Sequence, residues 1–135
     1  MGQWGARWLE IEPQHQDPAY VLWATIKLVD VDKLPDHTVV IRVEMRDRPA
    51  ESYWLILRKP HPELCTKAMG YVEDIVAHTD SACLIDIHLK RTTYREALRG
   101  GRLVLHGPPR LTRAFVTWIR PSPYAEIAPA PIPAP

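Results

Sequence analysis

Two consecutive alternating stretches constrain this chain more than any other feature. Val39, Ile41, Val43 and Met45 alternate with Val40, Arg42, Glu44 and Arg46; after a turn at Asp47-Arg48-Pro49, Tyr53, Leu55 and Leu57 alternate with Trp54, Ile56 and Arg58. A period of two sends each apolar set to one side of a pleated strand, so the spacing predicts an antiparallel pair with one core face and one polar face. Such a pair cannot stand alone in water. The remaining segments must cover its apolar side.

Several of them read as helices. Asp17-Pro18 is a start signal, a capping carboxylate followed by proline at the first helical position, and Leu22, Trp23, Ile26 and Val29 continue at helical spacing, which predicts a helix over roughly 17–30. Thr93-Tyr94-Arg95-Glu96 has the pattern of a capping box, in which the hydroxyl and the carboxylate each satisfy a free backbone N–H, and Gly100-Gly101 closes that helix. Leu111, Ala114, Phe115 and Trp118 predict a last amphipathic helix, stopped by Pro121. Near the start, Trp4 and Trp8 share one helical face ahead of Pro13. Shorter strands are expected at 64–68, 74–79 and 102–106. The stretch 82–90 is ambiguous, because Cys83, Ile85, Ile87 and Leu89 alternate as in a strand while Asp80 and Ser81 offer a helix cap.

The 135 residues suffice for one domain with a core of its own, and 17 lysines and arginines nearly balance 16 acids, so no strong field draws polyanions or acidic membranes. No specific binding of duplex DNA by this chain alone is expected. Arg91, Arg95, Arg99, Arg102, Arg110 and Arg113 read as solvated helix faces. Cys65 and Cys83 sit among apolar neighbours, as reduced thiols of a cytoplasmic protein do. No apolar run is long enough to span a membrane, and Met1-Gly2-Gln3-Trp4 lacks the layout of a signal peptide.

Chemistry is hard to find. The histidines and cysteines show no metal-ligand spacing, no serine sits in a nucleophile elbow, and His61 and His78 lie near Cys65 and Cys83 in sequence only. Neither a metal, a cofactor nor a catalytic residue is expected. The proline- and alanine-rich stretch 121–135 is expected to be a disordered tail whose removal leaves stability unchanged.

Ala97-Leu98-Arg99-Gly100-Gly101-Arg102-Leu103, followed by His106-Gly107-Pro108 and by Leu111, Ala114 and Phe115, resembles the C-terminal half of sterol carrier protein type 2-like domains. Trp4-Gly5-Ala6-Arg7-Trp8, Leu34-Pro35-Asp36 and Arg120-Pro121-Ser122-Pro123-Tyr124 look like the sensor domain that follows the winged helix-turn-helix of HxlR-type bacterial transcriptional regulators, although no DNA-binding domain is present in the sequence. The resemblance implies an α+β fold, a mostly antiparallel sheet of about five strands with helices on one face enclosing an apolar cavity. It implies a helical extension over 1–12, a ligand-binding domain over 13–120, and a helix after Asp80 that makes Leu84, Ile87 and His88 neighbours.

On that reading the cavity would be lined by Trp23, Ile26, Val43, Tyr53, Leu55, Leu84, Ile87, His88, Leu98, Leu105, Phe115 and Trp118, with His88 and Tyr53 as polar anchors. The partner would be a small apolar ligand, lipid- or sterol-like, bound without being transformed. Burying ~300 Å² of it at ~25 cal/mol per Å² gives about 7 kcal/mol before association costs, enough without a charged anchor. The competing reading is a dimerisation or interaction module, a homodimer favoured by the Trp4/Trp8 stripe, with a vestigial cavity.

Overall fold

The structure, a computed structural model, describes residues 17–121; the expected N-terminal extension with Trp4 and Trp8, and the expected tail from Ser122 onward, lie outside the described residues. Helix α1 (Pro18–Lys27) begins as its sequence dictates, with the Asp17 carboxylate accepting the Ala19 N–H at 3.0 Å and proline at the first position. It ends earlier than its apolar spacing suggests. Val29 is drawn into an antiparallel bridge with Ile119, and Asp30 caps a 3-10 turn at Val31–Lys33.

Strands β1 (Val39–Met45) and β2 (Ser52–Leu57) pair antiparallel as expected, with Ile41 opposite Leu55 and Val43 opposite Tyr53. Strand β3 (Glu63–Cys65) adds to β2, and β4 (Ile75–Thr79) lies on the other side of β1. Helices α2 (Ser81–His88) and α3 (Tyr94–Arg99) follow, then β5 (Val104–His106) on β4 and helix α4 (Pro109–Phe115). The sheet order is β3-β2-β1-β4-β5. Three of its four pairings are antiparallel, and β1–β4 is parallel because the chain crosses over between β3 and β4.

One face of the sheet carries the core. Val39, Ile41, Val43, Met45, Leu55, Leu57, Ile75 and Ala77 meet Val21, Leu22 and Ile26 of α1, Cys83 and Leu84 of α2, Ala97 of α3, and Leu111 and Phe115 of α4. The opposite face is less polar than the alternation implies, since Val40 and Ile56, directly opposite each other in register, are fully buried on it. There the β3–β4 connection is tied down by side chains: Glu73 accepts from Arg42 Nε at 3.0 Å and from Trp54 Nε1 at 2.9 Å, and Arg58 donates to the Tyr71 hydroxyl at 3.0 Å.

The ambiguous stretch is a helix. Asp80 accepts the Cys83 N–H at 2.8 Å, and this cap satisfies a donor that a strand would have had to pair with a neighbour. Only half of the capping box at α3 forms. The Thr93 hydroxyl accepts the Glu96 N–H at 3.0 Å, while the Glu96 carboxylate takes the Thr92 hydroxyl at 3.2 Å. Thr93→Ala should therefore cost about 1 kcal/mol, read as a shift in urea midpoint at constant slope; no shift would mean that the cap contributes nothing.

Helix α4 is also shorter than its pattern. It ends at Phe115, and Trp118 lies beyond it, because the chain leaves the helix to pair with the end of α1: Asp30 N–H donates to the Trp118 carbonyl at 2.7 Å and Arg120 N–H to the Leu28 carbonyl at 2.8 Å. Trp118 is buried all the same, with its ring edge-to-face on Phe115 at 6.5 Å.

Candidate ligand site

The helices end near one another, and a cavity of about 260 Å³ opens among those ends. Thr25 and Leu28 enter it from α1, Ile87 and His88 from the end of α2, and Thr93, Tyr94 and Arg95 from the start of α3. Lys90 and Thr92 of the α2–α3 link, with Val116, Ile119, Arg120 and Pro121 after α4, complete its lining.

Local chemistry shapes this rim. Lys90 adopts φ 64°, the left-handed conformation in which helices commonly terminate, so α2 cannot continue past it. Asp86 then holds the link: its carbonyl accepts the Arg91 and Thr92 N–H groups, and its carboxylate pairs with Arg91 at 3.4 Å and Arg102 at 2.9 Å.

The polar groups inside belong to Thr25, Tyr94 and His88. Thr25 donates to the Val21 carbonyl at 2.9 Å and partners the Tyr94 hydroxyl, whose pKa burial pushes up to about 12. The Tyr94 ring continues into the core, edge-to-face on Phe115 at 5.9 Å. His88 is 7% exposed and meets Tyr20 edge-on at 6.3 Å. Tyr53, the other expected anchor, is a core residue whose hydroxyl donates to Glu51 at 2.8 Å; burial, reinforced by that carboxylate, pushes it too up to about 12.

These two phenols set an alkaline limit. A group whose folded pKa lies above its unfolded value of about 10 contributes its full stabilisation below that pH and loses it as the pH rises through the folded value. Their contribution to unfolding free energy should stay constant from neutrality to about pH 10 and decline toward pH 12. Tyrosine absorbance followed alongside urea unfolding checks this; phenols that titrate near pH 10 without loss of fold would contradict it.

The residues expected to line a cavity separate into three groups. Ile87 and His88 border this one. Ile26, Val43, Tyr53, Leu55, Leu84, Phe115 and Trp118 are buried in the core, with Leu98 and Leu105 packed half-buried against it. Trp23 is 47% exposed on the outer side of α1, its ring tilted 35° to that of Tyr20 at 5.7 Å and with the Lys27 ammonium 5.1 Å away. Sequence reasoning missed Thr25, Tyr94 and the cationic Lys90, Arg95 and Arg120. The usable signal was positional: Thr25, Lys90, Tyr94 and Arg95 sit within a turn of a helix end, where backbone cannot pack as tightly as along a helix face, whereas Arg120, five residues past α4, carried no such signal.

Burial raises the Cys83 thiol above its ordinary value, which suits an inert core thiol rather than a nucleophile. His78 meets His106 edge-on at 5.3 Å. Among the described residues, no group of three histidines, cysteines or acids is placed to hold a metal ion, and no helix is long and apolar enough to cross a membrane.

No family model and no curated protein matches this sequence. Solved structures do. The chain superposes on the inverting sec-alkylsulfatase Pisa1 from Pseudomonas sp. with a TM-score of 0.63 at 16% identity, covering 80% of this chain but 17% of the sulfatase. It matches the crystal structure of sterol carrier protein 2-like 2 from Aedes aegypti with a TM-score of 0.56 at 17% identity, covering 73% of this chain and 93% of that one. The palmitated form of the same mosquito protein, solved by NMR, matches with a TM-score of 0.54 at 17% identity over 76% of this chain and 93% of that one. With a five-stranded, mostly antiparallel sheet covered by helices on one face, the described residues have the sterol carrier protein 2-like fold.

Proposed function

We propose that this chain binds a small hydrophobic molecule in the cavity among its helix ends and does not transform it, acting as an effector-sensing domain of the kind attached to HxlR-type transcriptional regulators. The observation that carries the reading is the cavity itself: Leu28, Ile87, Val116 and Ile119 give it apolar walls, and buried Thr25 with its half-buried partner Tyr94, together with His88, give it a few fixed polar groups. Apolar walls with sparse oriented polar groups are what a binding pocket requires. Among the described residues the lining holds no carboxylate and no thiol, and its histidine, His88, is joined there by no serine, cysteine or acid, which favours binding over chemistry.

The position of the cavity suits a sensor. The antiparallel bridge between Val29 and Ile119 joins the end of α1 to the last described segment, so a ligand seated against Leu28 and Ile119 touches both strands of that junction. Native mass spectrometry of protein purified from its own host, followed by thermal shift with the molecule found, tests the proposal. A ligand at 100 times its Kd should add about 2.7 kcal/mol of stability, on the order of 10 °C or more in Tm for a domain of this size. No bound molecule, and no concentration-dependent rise with any of a broad apolar panel, would overturn it.

A further inference from the structure

The charges around the cavity are lopsided. The chain as a whole is nearly neutral, with 17 basic residues against 16 acids, yet among the described residues the cavity lining includes Lys90, Arg95 and Arg120 and no aspartate or glutamate. None of the three makes an ion pair among the described residues. The nearby acids are engaged elsewhere, Asp86 with Arg91 and Arg102, and Glu96 with the Thr92 hydroxyl. The three cations are exposed at the mouth, whereas Thr25 and His88 are buried and Ile87, Val116 and Ile119 half-buried behind them. Polarity is therefore graded, cationic outside and apolar within.

Size narrows the occupant further. An apolar cavity of ~150 Å³ takes up benzene, so 260 Å³ encloses a body of roughly ten heavy atoms. A sterol skeleton or a sixteen-carbon acyl chain would have to protrude through the mouth into solvent.

Resting on the proposed binding function, we propose that the ligand is a compact organic anion, a single carboxylate or equivalent oxyanion on an apolar body of about ten heavy atoms, with its charge held at the mouth by Lys90, Arg95 and Arg120. Guanidinium groups suit this task because their planar donors match a carboxylate two-to-two, and an ammonium adds an adaptable point charge. The apolar body then replaces water against Leu28, Ile87, Val116 and Ile119.

Calorimetric titration of the full chain with phenylbutyrate and with its neutral amide, which share one apolar body, tests the charge; palmitate tests the size. The acid should bind on the order of tenfold more tightly than the amide, and the margin should shrink as salt is raised. Lys90→Gln, Arg95→Gln and Arg120→Gln combined should abolish the acid's advantage over the amide and leave the melting temperature unchanged, since these exposed side chains make no ion pair among the described residues. Equal affinity for acid and amide would overturn the anion while leaving the binding function standing. Tighter binding of palmitate than of phenylbutyrate would overturn the size limit. No binding of any probe, in this panel or a broad apolar one, would instead overturn the binding function and this inference with it.

Discussion

Trp118→Ala is expected to destabilise the fold by about 3–5 kcal/mol and to leave the ranking of bound probes unchanged. Trp118 is 4% exposed and packs in the core against Phe115, yet it does not border the cavity. Removing the indole therefore opens a void in packed interior instead of enlarging the pocket. The loss is a large share of the ~5–15 kcal/mol that separates folded from unfolded domains, so the variant should be studied by urea unfolding with wild type alongside. Trp118→Phe keeps much of the ring contact and should lose markedly less. A Trp118→Ala protein of near-native stability, or one whose preference among apolar probes is rearranged, would show that the indole lines the pocket after all.

Gly107→Ala should cost about 1–3 kcal/mol, a large penalty for one added methyl. A Cβ built on Gly107 would lie 2.6 Å from the Asp74 carbonyl oxygen and 3.1 Å from Ile75 Cγ1. The first of these is backbone and cannot swing away. Asp74 is itself held, its N–H donating to the Val40 carbonyl at 2.8 Å and its carboxylate accepting the Val40 N–H at 2.9 Å. Relief must come from parting β5 from β4, which should also raise amide exchange at Val104 and His106. Gly101, by contrast, has φ +77° and nothing within 4 Å of a Cβ, so Gly101→Ala is penalised by conformation alone and by less, about 1 kcal/mol. Equal losses at the two glycines would mean that the close approach at Gly107 relaxes without resistance.

The outer face of the sheet offers a contrast with the site. Arg42 pairs with Glu44 and Glu73, and Glu73 also receives Trp54, so its carboxyl sits below the ordinary value. These groups are partly exposed, and such pairs contribute little singly. Their role is to seat the β3–β4 crossover, which makes β4 run parallel to β1 and so returns the chain to the covered side for α2.

What the sequence determined by itself was local. Period-two alternation specified β1 and β2 and which of their faces would be buried, because a pleated strand has only two sides. Asp17-Pro18 and Thr93 marked helix starts for the equally local reason that a free N–H finds its acceptor two or three residues away. The helix over 81–88 did not follow from periodicity, which favoured a strand; the Asp80 cap and the likeness to a known fold pointed to it. The ends of α1 and α4 lay beyond local reach, because a bridge between Val29 and Ile119, ninety residues apart, took over backbone groups that either helix could have used. The cavity lining was hidden for the same reason: apolar core and apolar pocket have the same composition. Whether Val43 or Ile87 faces packed neighbours or empty space depends on where the helix ends converge, and that is decided only when the chain is assembled.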